Sequence, residues 1–297
     1  MTELNHYPVM HAEVLTHLAL KGKKIIVDCT VGIGSHAGKL LAAMDSDSVL
    51  IGVDRDTGSL EMARARLKPY EGRFILCHGD FAHIDSIVRN AGFEAVDGVL
   101  FDLGISSYQL SDPQRGFSFM KEGPLDMRMD KDTFLWAYDL VNNLSENELG
   151  NIFRKFGEER YYRKIAHCII QERKNEPIAT TTQLAEVVSR CISSRSHYTR
   201  IHPATRVFQS LRIAVNRELD ALSQGLAGAL SLVRTGGRIA VISFHSLEDR
   251  IAKHTFRHWA SEGLVEIVTK KPLVPSEEEK EENWPSRSAK LRVAVKK

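Results

Sequence analysis

Four aspartates stand where apolar runs of the N-terminal third end: Asp28, Asp54, Asp80 and Asp102. The first is followed by a glycine turn, Gly32-Ile33-Gly34. Glycines between a strand and a helix let backbone N–H groups and a helix N-terminus approach a ligand closely. A single aspartate after a strand is often only a helix cap, but four at successive strand ends predict a site for a cofactor that contains adenosine.

The glycine turn by itself fits two cofactors. Gly32, Gly34 and Ala37 satisfy the G-x-G-x-x-G/A pattern of nicotinamide dinucleotide sites. Asp54, 20 residues after Gly34, suits the ribose hydroxyls of that cofactor or of S-adenosylmethionine. Both a nicotinamide-dependent oxidoreductase and a methyltransferase are therefore compatible with this turn.

The other acidic positions favour S-adenosylmethionine. A carboxylate at Asp28 would hold the amino-acid end of that cofactor, whereas it would repel a nearby pyrophosphate. Asp80 offers an acceptor for an adenine amine, and Phe81 offers an aromatic face for the adenine ring. Asp102 ends the fourth strand beside the same crevice.

Alternating short apolar runs and helix-like segments position these residues. In the first hundred residues this alternation predicts βαβ units and a parallel sheet. Strands are predicted at 25–30, 48–54, 73–80, 96–104, 237–245, 264–271 and 289–297, with helices at 35–44, 57–67, 83–91, 146–156, 161–172, 182–193, 204–233 and 246–260. An exposed acidic loop is predicted at 275–285.

About 130 residues separate the fourth and fifth strands, far more than a crossover needs. We therefore predict an α/β fold, a Rossmann-like, mostly parallel sheet of the class I methyltransferase type with an antiparallel last strand and an inserted helical subdomain. The predicted domains are a discontinuous cofactor-binding core, 1–107 with 211–297, and a helical insertion, 108–210, for RNA recognition.

Composition excludes several classes of protein. Hydrophobic residues make up 43% of the chain and charged residues 26%, as in folded globular proteins. The four cysteines form no C-x-x-C pair, which predicts neither a disulfide framework nor a metal site. Since we find no signal peptide and no apolar run of membrane-spanning length, we expect a cytoplasmic protein with no membrane partner.

Seven stretches resemble the MraW family, also called ribosomal RNA small subunit methyltransferase H, over nearly the whole chain. They are HYPVM at 6–10, DCTVGIGSH at 28–36, DLGISSYQ at 102–109, RGFSF at 115–119, GPLDMRMD at 123–130, GEER at 157–160 and SFHSLEDR at 243–250. The resemblance implies methylation of the exocyclic N4 of a cytidine in the decoding region of 16S rRNA, with S-adenosylmethionine as cofactor and the small ribosomal subunit as partner.

The family's cofactor contacts map onto this chain at Gly34, Ser35, His36, Asp54, Phe81, Asp102 and Gln109. The family turn usually reads Gly-Gly-His, and here Ser35 replaces the second glycine. If that position requires positive φ, a serine there would be strained by up to a few kcal/mol. Either the turn would bend differently or the cofactor would bind more weakly.

Methyl transfer to a cytosine amine depends on holding the nitrogen close to the methyl group. The amine lone pair is delocalised into the ring, so a hydrogen-bond acceptor must draw the nitrogen towards tetrahedral geometry. Asp102 is the preferred candidate and His245 the second. His245 is equally suited to link the end of its strand to the next helix, where SLED at 246–249 resembles a capping box with Ser246 as the cap. Ser106 and Ser107 are further candidates. Asp126 and Asp130 flank Arg128 and are expected to form local ion pairs instead.

Positive charge is concentrated between residues 151 and 217, with 13 Lys or Arg against 5 Asp or Glu. The stretch 187–217 has no acidic residue, and such a segment suits phosphate contacts and base stacking. Its basic and aromatic members are Arg190, Arg195, His197, Tyr198, Arg200, His202, Arg206, Arg212 and Arg217. The alternative is a solvated basic face.

Two other functions stay open at this point. One is a nicotinamide-dependent oxidoreductase, and the other is a ribosome-assembly or RNA-binding factor whose cofactor pocket is vestigial. The sequence also leaves open whether the protein is a monomer or a homodimer.

Overall fold

The computed structural model describes residues 7–192 and 202–297. Seven strands form one sheet in the order β3-β2-β1-β4-β5-β7-β6. They are Ile25–Asp28 (β1), Val49–Asp54 (β2), Phe74–His78 (β3), Val96–Asp102 (β4), Val233–Ser243 (β5), Val265–Ile267 (β6) and Lys290–Lys296 (β7). Strands β1 to β5 pair in parallel, whereas β7 runs antiparallel to both β5 and β6. The predicted fold class, with its antiparallel last strand, is confirmed.

The helices account for most of the remaining described residues. They are His11–Leu18 (α1), Ser35–Ala43 (α2), Thr57–Leu67 (α3), Ile84–Asn90 (α4), Ser107–Ser111 (α5), Ala137–Asn143 (α6), Glu146–Gly157 (α7), Tyr162–Glu172 (α8), Thr181–Cys191 (α9), Ala204–Asn216 (α10), Glu218–Leu232 (α11), Ser246–Ser261 (α12) and Glu277–Glu282 (α13). No helix among the described residues is long and apolar enough to cross a membrane.

The chain divides into two compact units, Met1–Gly104 with Leu219–Lys297 and Ile105–Glu218. The second unit therefore begins three residues before the predicted insertion, 108–210, and ends eight residues after it. The assignment of the insertion to RNA recognition stays a prediction.

Each unit has its own core. In the first unit, neighbouring strand residues such as Ile26 and Val27 enter different apolar clusters because side chains alternate between the faces of a sheet. One cluster packs the sheet against α1, α2 and α3, and the other packs it against α4, α11 and α12. The core of the second unit is mostly helical and is centred on buried residues such as Phe153 and Leu184.

The prediction of a single helix at 204–233 is wrong, because two helices, α10 and α11, occupy this range. Arg217 has φ 51, a left-handed conformation that ends α10, and its N–H donates to Ile213 O. Asn216 is fixed next to it, because its amide accepts from Met129 N and donates to Met127 O. A second correction concerns 275–285, predicted as a loop, where the Ser276 side chain caps the short helix α13.

The cysteine prediction also needs correction. Cys168 in α8 and Cys191 in α9 are paired as a disulfide, with their Cα atoms 6.2 Å apart. The other two cysteines, Cys29 and Cys77, are free. Sequence spacing could not reveal the pair, since the two residues are brought together by the packing of α8 against α9 within the second unit.

Candidate active site at the carboxyl edge of the sheet

The glycine turn is fixed by hydrogen bonds to two strands. Cys29 N donates to Leu100 O on β4, and Val31 N donates to Val53 O on β2. A side chain at Gly52 would clash with Val31, since an added Cβ would lie 2.9 Å from its Cγ2 atom. The turn therefore lies directly against β2 before α2 begins.

Ser35 is not strained. The left-handed conformation falls on Gly32 and Gly34, with φ 52 and 82, and Ser35 is the first residue of α2. Its hydroxyl accepts a hydrogen bond from Arg66 on α3. The expectation of strain at Ser35 is therefore wrong, because the residue needing positive φ is Gly34, its predecessor.

Two carboxylate oxygens at this edge are buried and have no hydrogen-bond partner among the described residues: Asp28 Oδ2 and Asp102 Oδ1. Asp28 is fully buried, and its Oδ1 accepts from Thr30 N at 3.2 Å. Asp102 keeps 24% of its side chain exposed. Buried polar atoms are almost always hydrogen-bonded in proteins, so unsatisfied ones point to a ligand.

Burial changes the ionisation of both carboxyls. Loss of solvent raises the pKa of Asp28 to about 7, with a smaller contribution from the charge of Asp54. Loss of solvent also raises the pKa of Asp102 well above its usual value, and the charges of Asp28 and Glu248 raise it further. Since a cation beside these groups would restore their ionised forms, the pair is suited to bind a positively charged ligand.

Thr30 and His36 surround Asp102. The Thr30 hydroxyl accepts from Asp102 N at 2.7 Å, and His36 Nε2 lies 3.4 Å from Asp102 Oδ2. His36, in the first turn of α2, is 5% exposed. The structure thus brings together Asp28, Asp102 and His36, all predicted from the sequence, and adds Thr30, which sequence reasoning missed.

Asp54 links the second strand to the turn. Its Oδ2 accepts from Gly32 N at 2.8 Å, and its Oδ1 accepts from Asp56 N at 2.9 Å. Each carboxylate oxygen has a second lone pair. The side chain can therefore hold the glycine turn and still accept from a ligand hydroxyl.

Asp80 and Phe81 lie with Arg55 after β3. Arg55 Nη2 donates to Asp80 Oδ2 at 2.5 Å, while Asp80 Oδ1 caps the following turn through Ala82 N. The Arg55 guanidinium also lies 5.8 Å from the centroid of the Phe81 ring. Phe81 packs edge-on against Phe101, with ring centroids 5.6 Å apart. Any adenine contact by Asp80 must therefore share its carboxylate with Arg55.

His245 is the N-cap of α12. Glu248 N donates to His245 Nδ1 at 3.4 Å, and Glu248 Oε2 accepts from Phe244 N at 2.8 Å and His245 N at 3.3 Å. His245 Nε2 lies 3.2 Å from Glu248 Oε1, though without hydrogen-bond geometry. The sequence prediction that Ser246 caps this helix is therefore wrong by one residue.

Gln109 and the two serine candidates belong to the second unit. Ser106 Oγ accepts from Gln109 N at 3.1 Å, and Gln109 Oε1 accepts from Ser106 N at 3.2 Å, so the two residues cap α5 reciprocally. Contact of Gln109 with the cofactor stays a prediction. The local ion pair expected at Arg128 is present with Asp126, at 2.7 Å, whereas Asp130 Oδ1 accepts from Asp132 N.

Much of the basic stretch 187–217 has structural partners. Arg190 pairs with Glu172 at 2.9 Å, and Arg212 forms a two-pronged contact with Glu218 at 2.9 and 2.8 Å. Arg206 donates to Glu158 O. The stretch is therefore less available for phosphate than its composition predicts. Four of its members, Arg195, His197, Tyr198 and Arg200, lie outside the described residues.

The residues around the glycine turn fit S-adenosylmethionine better than a dinucleotide. Asp28 Oδ2 and Asp102 Oδ1 offer acceptors to an ammonium group, which is a hydrogen-bond donor. A pyrophosphate at the same place would meet two carboxylates at a buried edge, where like charges repel strongly.

Comparisons with known proteins agree with this geometry. A family model described as the MraW methylase family matches residues 3–297. The chain is 47% identical over 291 residues to the ribosomal RNA small subunit methyltransferase H of Persephonella marina, covering 98% of this chain and 99% of that protein. It is 44% identical over 309 residues to the protein of the same name from Carboxydothermus hydrogenoformans, covering 99% and 98%.

Among solved structures, an O-methyltransferase of Bacillus cereus in complex with SAH aligns with a TM-score of 0.48 at 10% identity, covering 99% of this chain and 84% of that one. A putative rRNA methylase of Clostridium thermocellum aligns with a TM-score of 0.44 at 12% identity, covering 98% and 100%. The family model and the full-length relatives confirm the resemblance found in the sequence: the chain belongs to the MraW methylase family.

Proposed function

We propose that this protein transfers a methyl group from S-adenosylmethionine to the exocyclic N4 of a cytidine in 16S rRNA, in the decoding region of the small ribosomal subunit. The observation that carries the proposal is the pair of buried acceptors, Asp28 Oδ2 and Asp102 Oδ1, beside the glycine turn. Membership of the MraW family and the names of the relatives support the choice of ribosomal RNA as substrate.

The first unit supplies the cofactor-binding residues. Asp28 would accept from the ammonium group, Asp54 from the ribose hydroxyls, and Asp80 with Phe81 would receive the adenine. Backbone at Gly32 and Gly34 leaves room for close approach, and Ser35 and His36 open α2 next to it. S-adenosylmethionine, when bound, supplies an electrophilic methyl group on its sulfonium.

Asp102 is the candidate acceptor for the amine N–H. It must be ionised to take up a proton, and the ionised form is also the stronger hydrogen-bond acceptor; its raised pKa works against ionisation in the free enzyme. A cationic cofactor nearby favours the carboxylate. Cofactor binding would therefore prepare Asp102 for its role, while His36 at 3.4 Å from Asp102 Oδ2 restricts how the carboxylate can turn.

His245 is the second candidate, in a positioning role. Glu248 holds both its backbone N–H and its ring, and β5 pairs with β4 so that Asp102 is in register with Ile242. The arrangement supports a histidine held close to the end of β4. The role of His245 as the N-cap of α12 explains the same hydrogen bonds equally well.

Incubating the protein with labelled S-adenosylmethionine and small ribosomal subunits, followed by digestion of the RNA, tests the proposal. We expect labelled N4-methylcytidine, and none with Asp102→Ala. Label in another nucleoside, or none at all, would contradict the substrate assignment. If Asp102→Ala restored every phenotype of a gene deletion, the protein would instead be an assembly factor with a vestigial pocket.

A titration separates the cofactors. We expect S-adenosylhomocysteine to release heat on binding and NAD to give none. Tight binding of NAD with no response to S-adenosylhomocysteine would favour the oxidoreductase. Methyl transfer to ribosomal RNA also implies a cytoplasmic protein, which supports the localisation expected from the sequence.

A further inference from the structure

Five exposed basic side chains surround the corner where α7 meets α8: Arg154, Lys155, Arg160, Arg163 and Lys164, hereafter the α7–α8 basic surface. None of them has a carboxylate partner among the described residues, in contrast to Arg190 and Arg212. Arg154 Nη2 donates to the neutral side chain of Asn151, at Oδ1, over 3.3 Å. Within these 11 residues the five unpaired cations outnumber the two acidic residues, Glu158 and Glu159, which leaves a local positive potential.

The corner that carries this surface is tightly built. Glu158 ends α7 with φ 46, and its carbonyl accepts from Arg206 Nη1 at 3.0 Å. An added Cβ at Gly157 would lie 2.6 Å from Arg206 O, so α10 packs directly on the turn. Glu159 is buried and accepts from Tyr161 N at 2.7 Å. The acidic side chain of Glu159 therefore stabilises the turn and does not neutralise the surface.

Tyr162 holds two of the arginines close to each other. The Arg154 and Arg163 guanidinium groups lie 5.8 and 5.5 Å from the centroid of its ring. An added Cβ at Gly150 would lie 3.4 Å from Tyr162 Cδ2, so the ring packs closely on α7. Two like charges kept near one ring repel each other unless an anion lies between them or beside them.

The ligand with the matching chemistry is a nucleic acid strand. Cationic side chains without carboxylate partners can contact successive phosphates of a strand, and exposed tyrosines can stack on its bases. Tyr161, beside the corner, is 44% exposed. Cations with carboxylate partners would have to break those pairs first, so this surface is better suited to phosphate than Arg190 and Arg212.

We propose that the α7–α8 basic surface binds the phosphate backbone of the RNA substrate. This inference rests on the proposed function, because it assigns the surface by which the substrate is held. It places the principal electrostatic contact of the described insertion on α7 and α8, and not on the arginine-rich stretch that the composition favours.

Two double variants of the protein test the surface. One is Lys155→Gln with Lys164→Gln, whose side chains form no ion pair or hydrogen bond within the described residues, and the other is Arg154→Gln with Arg163→Gln. The matched control is Lys270→Gln with Lys271→Gln, two exposed lysines of the first unit. Binding of a fluorescent single-stranded RNA is measured from 50 to 300 mM KCl. Affinity for S-adenosylhomocysteine and thermal melting show that each variant is folded.

Each lost phosphate contact should reduce the slope of log affinity against log salt by about 0.7 and lower the affinity about fivefold at 0.1 M salt. We therefore expect roughly a 25-fold loss in each surface variant and wild-type behaviour in the control. The KM for small ribosomal subunits should rise, with kcat within twofold of wild type.

Surface variants that keep wild-type RNA affinity, salt slope and KM would overturn the inference and leave the proposed function intact. A surface that binds vesicles of anionic phospholipid, with RNA binding unchanged by the substitutions, would also overturn it. Failure of the wild type to methylate small subunits would contradict the proposed function instead, and the RNA-binding slopes would still decide whether this surface holds a phosphate backbone.

Discussion

Asp28 differs strongly in its ionisation from an exposed aspartate. It is fully buried and its pKa is raised to about 7, chiefly by loss of solvent. Because the folded value lies above that of the unfolded chain, the ionised form opposes folding. This group therefore contributes stability below pH 3.8, its ordinary pKa, and loses that contribution as the pH rises towards 7.

The same shift makes cofactor affinity depend on pH. A ligand ammonium binds the carboxylate and not the carboxylic acid, so binding below pH 7 must release a proton. We expect the affinity for S-adenosylhomocysteine to rise about thirtyfold between pH 5.5 and 8, measured by isothermal titration calorimetry in two buffers of different ionisation heat.

Asp28→Asn is the control for that experiment. The amide cannot ionise, so the variant should bind weakly and show little change of affinity over the same range. A wild-type affinity that stays constant with pH would contradict the assignment of Asp28 to the ammonium group.

The helices and strands whose apolar residues recur regularly, and whose ends are marked by polar or glycine residues, were predicted well. Helix α3 has the predicted bounds, and each of the seven strands overlaps its predicted range. The break between α10 and α11 was missed because an apolar face continues across it, and no glycine or proline marks Arg217. The left-handed conformation there depends on tertiary hydrogen bonds of Asn216, which a local pattern does not contain.

Within the candidate site, sequence patterns identified the acidic side chains but not the groups that orient them. Asp28, Asp54 and Asp102 stand out because each ends an apolar run. Thr30, in the turn after β1, contacts Asp102, which lies 72 residues away in the chain. Glu248 had a recognisable signal, an acid in the first turn of a helix, but the cap was assigned to Ser246 and not to His245.

Glu248 is expected to hold the start of α12 in place. It is 2% exposed and accepts from the N–H groups of Phe244 and His245. Glu248→Ala would leave these groups unsatisfied, and we expect the free energy of unfolding to fall by about 2 kcal/mol, measured by urea denaturation. The exposed Glu281→Ala serves as control and should change it by less than about 0.5 kcal/mol. Equal losses in both variants would argue against the cap.

At the scale of the whole molecule, the two units differ in how the chain forms them. The first is assembled from the two ends of the chain, whereas the second is one continuous segment, Ile105–Glu218. The apolar cluster of the second unit consists entirely of its own residues, from Phe117 to Val215. Its stability should therefore come from contacts within the segment.

We expect a fragment of residues 105–218 to fold by itself. Its circular dichroism should be helical and its thermal unfolding cooperative, as for a small domain. Phe153 is fully buried in its core, and Phe153→Ala should lower the free energy of unfolding by about 3–5 kcal/mol. A fragment without cooperative unfolding, or one insensitive to Phe153→Ala, would show that the cluster needs the rest of the chain.

Because the second unit lies between β4 and β5 in the chain, it also delays the pairing of these two strands during synthesis on the ribosome. When β4 emerges it can pair with β1, but 130 residues separate Asp102, the last residue of β4, from Val233, the first residue of its other neighbour, β5. At about 5–20 residues per second the nascent chain waits roughly 7 to 26 s with one edge of β4 unpaired. That edge includes the apolar residues Val99, Leu100 and Phe101, and an open apolar strand edge is a template for aggregation. Nascent chains of this protein should therefore depend on chaperones during synthesis of the insertion, and shortening the insertion should shorten that dependence.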